Sequence, residues 1–456
     1  MRDLAYDLVE HTAAITYHML PHKAAEITKK FILDTLATTL LGSSAPGCST
    51  VIEQVKDWGG KQESTVLVYG GKLVSTNAAF ANSVMAHALD FDDTHDEAII
   101  HANVWVLPAA LAIAERIGNV SGEDLITAVS IGVDVTCRLS LGAVGLHGGN
   151  AGAFIGYFGA TLAAGKILGL DENKLHHAIG IAYSQCAGNR QCIVDRALVK
   201  RMQPAFGARG AILSALLAEG GITGARDIFE GQYGLFPVYL MGEYDREKIV
   251  GELGERFEGE NLSIKLYPCC RFTHPAVDAA LSIAQKNAIA PDDIKEVIVH
   301  VTQSAYDMVG KPFEIRESPQ VDAQFSIPYT VSVAIARRDV FIDDFFEETI
   351  KKEKTVLHLA RKVRVVADQR PVGKGLVPCV VEITTRDERH YSERTEMVRG
   401  NPRKPVSIQE VAEKFRKCAA FSAKPISKEN VEETIELVDK LEDVQDIGSI
   451  VGLLSS

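Results

Sequence analysis

The sequence predicts a mainly α protein with an α+β insertion: one large all-helical domain formed by both chain ends, and a smaller α+β domain between them. Three observations carry this prediction. Apolar residues recur at helical spacing up to about residue 265, β-rich alternation begins after about residue 266, and the helical period returns from Ser407 to the end. The predicted domains are therefore 1–265 with 398–456, and 266–397. A length of 456 residues with 46% hydrophobic content suits two or three cores of ordinary size, at roughly 150 residues per domain.

At the start, Met1–Leu20 carries Arg2, Asp3, Asp7 and Glu10 among its apolar residues, so it reads as an amphipathic helix and lacks the uncharged core of a secretory signal. The expected location is cytoplasmic. Ile27, Phe31, Leu36 and Leu40 continue the helical spacing. Thr65–Val74 breaks it, with two β-rich runs around Gly70-Gly71 that signal a hairpin. Ser75 and Ser121 are expected N-caps, the latter before a helix spanning Leu125–Leu139. In the insertion, Val297, Val299 and Val301 alternate, Val363–Val366 is a β-rich run, and Val380–Tyr391 predicts a hairpin around Arg386-Asp387. Helices are expected between them at His274–Lys286 and Tyr329–Arg337. After the turn residues Gly400-Asn401-Pro402 the helical signal resumes in Val411–Cys418 and Val431–Leu441.

With 48 Lys+Arg against 60 Asp+Glu, the net charge of −12 argues against nucleic acid or an anionic membrane as partner. Apolar stretches such as Ala151–Leu170 are interrupted by glycine and Lys166, and no membrane span is expected. The 8 cysteines include one adjacent pair, Cys269-Cys270, and show no Cys-x-x-Cys or Cys/His metal spacing. Structural zinc, an iron–sulfur cluster and disulfides are not expected.

Four segments carry chemistry. The densest is Ala86–Glu97 with His101 and Asn103, in which 5 acids and 3 histidines fall within fifteen residues at the end of an apolar helix. A divalent-metal site, a solvated loop and an acid/base centre all suit such a run; the Asp-x-Asp-Asp spacing fits no specific metal loop, and exposed charge fits Asp96 and Glu97. Lys200-Arg201 precedes Met202-Gln203-Pro204 and a small-residue helix, an arrangement that suits either a carboxylate or phosphate seat or a solvated basic turn. In Tyr267–Ala276, Pro275 suits the first turn of a helix, so that His274 projects from its start, and the adjacent cysteines read as buried packing. The glycines of Gly145-Leu146-His147-Gly148-Gly149-Asn150 match no Walker loop.

These motifs occur together and in order: AHALDFDDTHDEAIIHANVWVLPAALAIAE, GLHGGNAGAFIGYFGATLAAGKILGLD, VKRMQPAFGARGAILSALLAEGGITGARDIFEG, YPCCRFTHPAVDAA and AQFSIPY. In combination they resemble the MmgE/PrpD family, which contains 2-methylcitrate dehydratase, cis-aconitate decarboxylase and iminodisuccinate epimerase. The resemblance implies a helical domain from both chain ends, a smaller α+β lid, a homodimer, and no metal or organic cofactor. It places Asp90, Thr94 and His101 in the pocket, then His147, Lys200 and His274, and Tyr329 last. It implies acid/base chemistry by His101 and His274 in a cationic cleft between domains, with Lys200 and Arg271 clamping substrate carboxylates, Thr94 and Tyr329 as neutral donors, and Asp90 orienting Thr94 or tuning a histidine.

Two departures touch the substrate pocket. Thr94 to His101 is seven residues where the better-known members reach their histidine within six, and Gln203 stands where a histidine is common. The reading ranks a cofactor-free lyase first, a dehydratase (hydro-lyase) of a hydroxylated di- or tricarboxylate such as 2-methylcitrate. An epimerase or isomerase of an iminodisuccinate-like dicarboxylate follows, then a cis-aconitate-type decarboxylase, then a catalytically silent metabolite-binding dimer.

Overall fold

The structure, a computed structural model, describes residues 2–143, 154–367 and 376–455. The chain divides into two compact units, Met1–Ile264 with Ser407–Ser456, and Lys265–Val406. The second boundary falls later than the expected 397/398. The Gly400-Asn401-Pro402 turn is closed by Gly400 N–H donating to Lys404 O, and Arg399 N–H donates to Asp278 Oδ2, so these residues stay tied to the insertion.

The first unit is built from helices, with only short strands. Ser121 caps the helix Gly122–Gly142 by accepting from Asp124 N–H, as its sequence predicts. Ser75 is not the cap of its helix. It is the first helical residue, after Val74, and both its amide and hydroxyl donate to Glu63. The expected hairpin is present with strands of two residues: β1, Ser64–Thr65, pairs antiparallel with β2, Lys72–Leu73, and Gly70 and Gly71 supply positive φ angles at the turn.

The helix Gly122–Gly142 corrects the expectation on apolar length. It is long and apolar enough to cross a membrane, yet 94% of its apolar window is buried inside the protein. Its threonines are satisfied internally, as where Thr136 Oγ1 donates to Gly132 O at 2.8 Å, so this is a core helix whose acidic first turn, Glu123 and Asp124, reaches the surface.

The helix Asn103–Ile117 positions the site. Its Trp105 is buried against Gly156 and Gly207, where an added Cβ would come within 2.2 and 2.1 Å of the indole. Pro108, inside the same helix, has no N–H for the carbonyl of Val104; Ser83 Oγ donates to that oxygen instead, at 2.6 Å.

The second unit carries a four-stranded sheet in the order β6-β5-β7-β8, with β5 Ile294–Val301, β6 Val363–Ala367, β7 Cys379–Thr385 and β8 His390–Thr395. β5 and β6 are parallel; the other pairs are antiparallel, and Thr384 opposite His390 closes the predicted hairpin. The helix His274–Lys286 packs on β7 and β8, and Ile327–Arg337 packs on β6. All eight cysteines are free thiols.

A close helix approach in the first unit gives a prediction. A Cβ on Gly159 would lie 2.0 Å from Thr136 Oγ1 and 2.1 Å from Gly132 O. Gly159→Ala is expected to cost about 1–3 kcal/mol through overpacking, seen as a lower denaturant midpoint with an unchanged slope.

Candidate active site

The helix Ser75–His87 delivers the acidic loop, His87 being its last residue. Asp90 takes a φ of 54°, a left-handed conformation that aspartate tolerates better than most side chains. The turn it makes buries Asp90, Asp92, Asp93 and Thr94. Thr94–His95 then forms β3, antiparallel to β4, Leu262–Ser263, and Ile100 bridges back to His95. Asp93 closes the loop: its carboxylate accepts from Ala102 N–H at 3.0 Å and Asn103 N–H at 3.3 Å, two amides that the helix starting at Asn103 leaves without internal acceptors.

Asp92 Oδ2 lies 3.0 Å from His87 Nδ1 and 2.9 Å from His101 Nδ1. His101 Nδ1 is also 2.6 Å from the carbonyl of Asp93. Both neighbours are acceptors, so this nitrogen carries the proton and Nε2 is the reactive end. Nε2 makes no hydrogen bond to any described residue. The His101 side chain keeps 24% exposure above a carboxylate with 0%.

His87 has both nitrogens engaged. Nδ1–H donates to Asp92, and Nε2 faces Lys200 Nζ at 3.2 Å. Burial brings the His87 proton affinity down to about 4, and the Lys200 charge acts in the same direction against Asp92. A neutral ring satisfies both contacts. Burial alone would raise Asp92, but the two imidazoles hold it well below the usual carboxylate range. Lys200 stands on the single turn Leu198–Met202, ahead of the helix Gln203–Glu219, and its ammonium donates to Asp90 Oδ1 at 2.7 Å. Asp90 is thus the partner of Lys200, where the sequence had it orienting Thr94 or tuning a histidine; through Lys200 it stands one contact away from His87.

In the first unit Asp90, His101 and Lys200 of the predicted set join one network, and Thr94 is buried in β3. His274, Arg271 and Tyr329 belong to the second unit. His274 does begin its helix, but its ring is buried, with Nε2 3.3 Å from Cys269 O and Arg271 Nη1 3.4 Å from Nδ1. Arg271 is buried beside it and also reaches Arg399 O at 3.5 Å. Tyr329 is a correction: its hydroxyl donates to Asp344 O at 2.6 Å between Phe313 and Phe345, so it is a core residue and its proton is not offered to a substrate. Gln203 is occupied too, accepting from Asn189 N–H and donating to Cys192 Sγ. His147 lies outside the described residues.

Asp96 corrects the solvated reading of the loop, being half-buried and accepting from Ser263 Oγ at 2.8 Å, whereas Glu97 is exposed beside Lys248. The sequence reading missed His87, Asp92 and Asp93. The signal available was the helical run ending on His87 ahead of three acids, too many for one solvated loop end.

His87, Asp92 and His101 also bring two nitrogens and a carboxylate oxygen within 4.8 Å of one another, donors of the type that a divalent transition metal takes. The Asp92 separations of 3.0 and 2.9 Å are those of hydrogen bonds and the Lys200 ammonium adjoins the set, while Asp92 Oδ1 has no hydrogen-bond partner among the described residues.

Asp93 yields a pH prediction. Burial first, and then the Asp92 charge, push it up to about 7, against the opposing Ala102 N–H. Between its ordinary value and about 7 the folded state binds the extra proton, so the stability it contributes is present at low pH and lost as pH rises through that window, with a slope of at most about 1.4 kcal/mol per pH unit. Asp93→Asn should remove this component; the wild-type minus variant unfolding free energy, measured by urea titration from pH 4 to 8, should fall with pH.

Comparison with known proteins agrees along the chain. The MmgE/PrpD N-terminal domain matches residues 6–247, and the MmgE/PrpD C-terminal domain matches residues 267–443. Similar proteins include the cis-aconitate decarboxylase of Aspergillus terreus (strain NIH 2624 / FGSC A1156), 28% identical over 448 residues covering 93% of this chain and 91% of that one. The cis-aconitate decarboxylase of Homo sapiens is 27% identical over 456 residues, covering 95% and 91%. With both domains matched in order and the acidic-loop motif folded into one buried network, the chain belongs to the MmgE/PrpD family.

Proposed function

We propose that the protein is a lyase that decarboxylates a small unsaturated tricarboxylate of the cis-aconitate type, with His101 as proton donor. The observation that carries this reading is the Asp92–His101 contact at 2.9 Å, which fixes Nδ1 as a donor and leaves Nε2 to exchange protons with a substrate. Loss of carbon dioxide breaks one carbon–carbon bond, leaves its electron pair on carbon, and calls for one incoming proton. His101 in its protonated form gives that proton from Nε2 and is recharged by solvent. The Lys200 ammonium, poised between Asp90 and His87, offers a fixed cation for a substrate carboxylate.

Dehydration, which the sequence ranked first, calls for two proton transfers, one from carbon and one to the leaving hydroxyl. Of the two histidines that the described residues of the first unit bring into the network, His87 has both nitrogens engaged and His101 has one open. That count favours the single transfer, as does the name of the relatives, each a cis-aconitate decarboxylase.

Proton NMR in deuterated water with cis-aconitate, 2-methylcitrate and citrate separates the reactions. The expected result is carbon dioxide release from cis-aconitate with one deuteron in the product; interconversion of 2-methylcitrate with its alkene, without carbon dioxide, would replace this reading by the dehydratase.

His101→Ala is expected to lower kcat by about 100-fold or more, the scale of a lost proton donor. Glu97→Ala, at an exposed position, should stay near wild type. Prolonged dialysis against EDTA should leave turnover unchanged; activity lost there and restored by one added metal would assign His87, Asp92 and His101 as ligands instead.

A further inference from the structure

Phe91 lies between Asp90 and Asp92, so any shift of its peptide moves both carboxylates. Its carbonyl accepts a 2.9 Å hydrogen bond from Lys414 Nζ, and the same ammonium stands 3.7 Å from the centre of its ring. Lys414 belongs to the helix Ile408–Ala419, more than three hundred residues further along the chain. Its Nζ also lies 2.7 Å from Asp34 Oδ1, on the helix His22–Gly42, and both side chains are buried, at 5% and 0% exposure. A buried ion pair is weak evidence of stabilisation, because desolvating two charges offsets most of their attraction and apolar residues of the same volume do as well. Its contacts at this place point to a different role.

We propose that Lys414 is a positioning residue for the acidic loop: one ammonium, held by Asp34, fixes both the backbone and the ring of Phe91, so that Asp90 meets Lys200 and Asp92 meets the two histidines. This rests on the acid–base reading of that loop. The left-handed Asp90 just before Phe91 is the kind of conformation that persists only where its surroundings over-determine it, and a displacement of about 1 Å at a reacting group lowers rates by about 100-fold. Asp34 provides a second link, since its charge adds to the raised proton affinity of Asp93.

The test uses the full chain and three variants: Lys414→Met, which keeps length and apolar volume, Lys414→Arg, which keeps the charge, and the double variant Asp34→Asn/Lys414→Met, which removes both charges. Hydrogen–deuterium exchange of peptides covering residues 88–102 reads the loop without any substrate. In Lys414→Met and in the double variant these peptides should exchange about 10-fold faster or more, while those of Gly122–Gly142 keep wild-type protection. On the substrate that wild type turns over, kcat should fall by about 10-fold or more, with KM within about 3-fold, and Lys414→Arg should recover part of the loss. The double variant should regain thermal stability relative to Lys414→Met without regaining kcat, which separates positioning from pair stability. Wild-type exchange over 88–102 in the double variant, or a kcat that returns together with stability, would overturn the proposal. Faster loop exchange alongside an absence of cis-aconitate turnover by wild type would support the clamp and overturn only the assigned reaction.

Discussion

A carboxylate with no exposure to water keeps its charge only where polar partners replace the solvent; Asp92 has two imidazole nitrogens within 3.0 Å of one oxygen, and its other oxygen has no hydrogen-bond partner among the described residues. The rest of the site follows from this constraint. Each ring must present an N–H to Asp92, which fixes its tautomer and thereby the character of its other nitrogen. For His87 the remaining lone pair meets an ammonium; for His101 it meets no described residue. Lys200 in turn is held by Asp90, so the positive and negative groups alternate through the network. Breaking the chain at Asp92 would therefore alter the protonation pattern of both histidines together.

The surrounding fold holds this network by backbone contacts made from several directions. Asp93 receives the first amides of the Asn103 helix, and Trp105, seated against two glycines, fixes that helix two residues further on. β3 pairs with β4 across the other side of the loop. The returning C-terminal segment supplies a helix and, through Lys414, a charge that reaches the loop's own backbone. In a fold assembled from both chain ends, the last fifty residues are thus part of the architecture of the site.

The elements set by local chemistry were legible in the sequence. The hairpin at Gly70-Gly71, the helix starting at His274-Pro275, and the strands around Val299 and Arg386-Asp387 follow from turn residues and alternation, which act over a few positions. Residues whose role depends on a distant partner were not. Tyr329 reads equally as a pocket donor or as a core aromatic until Asp344 O is placed next to its hydroxyl. Three loop acids within four positions, Asp90, Asp92 and Asp93, look alike in sequence, yet one pairs with a lysine, one with two histidines and one with helix amides. The pairing of Asp34 with Lys414 leaves no local trace at all. The apolar length of Gly122–Gly142 was likewise ambiguous, because a core helix and a spanning helix share one composition.

The stretch from Thr94 to His101 runs between two sets of fixed points. Thr94 and His95 are pinned by strand pairing, while His101 is set by Asp92 and by the Asp93 anchor of the following helix. Between these fixed points the chain makes an exposed turn, with Ile99 in a left-handed conformation at 58% exposure. Length is decoupled there from the placement of the reactive groups. On the proposed reading, residues added to or taken from this exposed turn would change the outline of the loop while the contacts that set His101 stay in place.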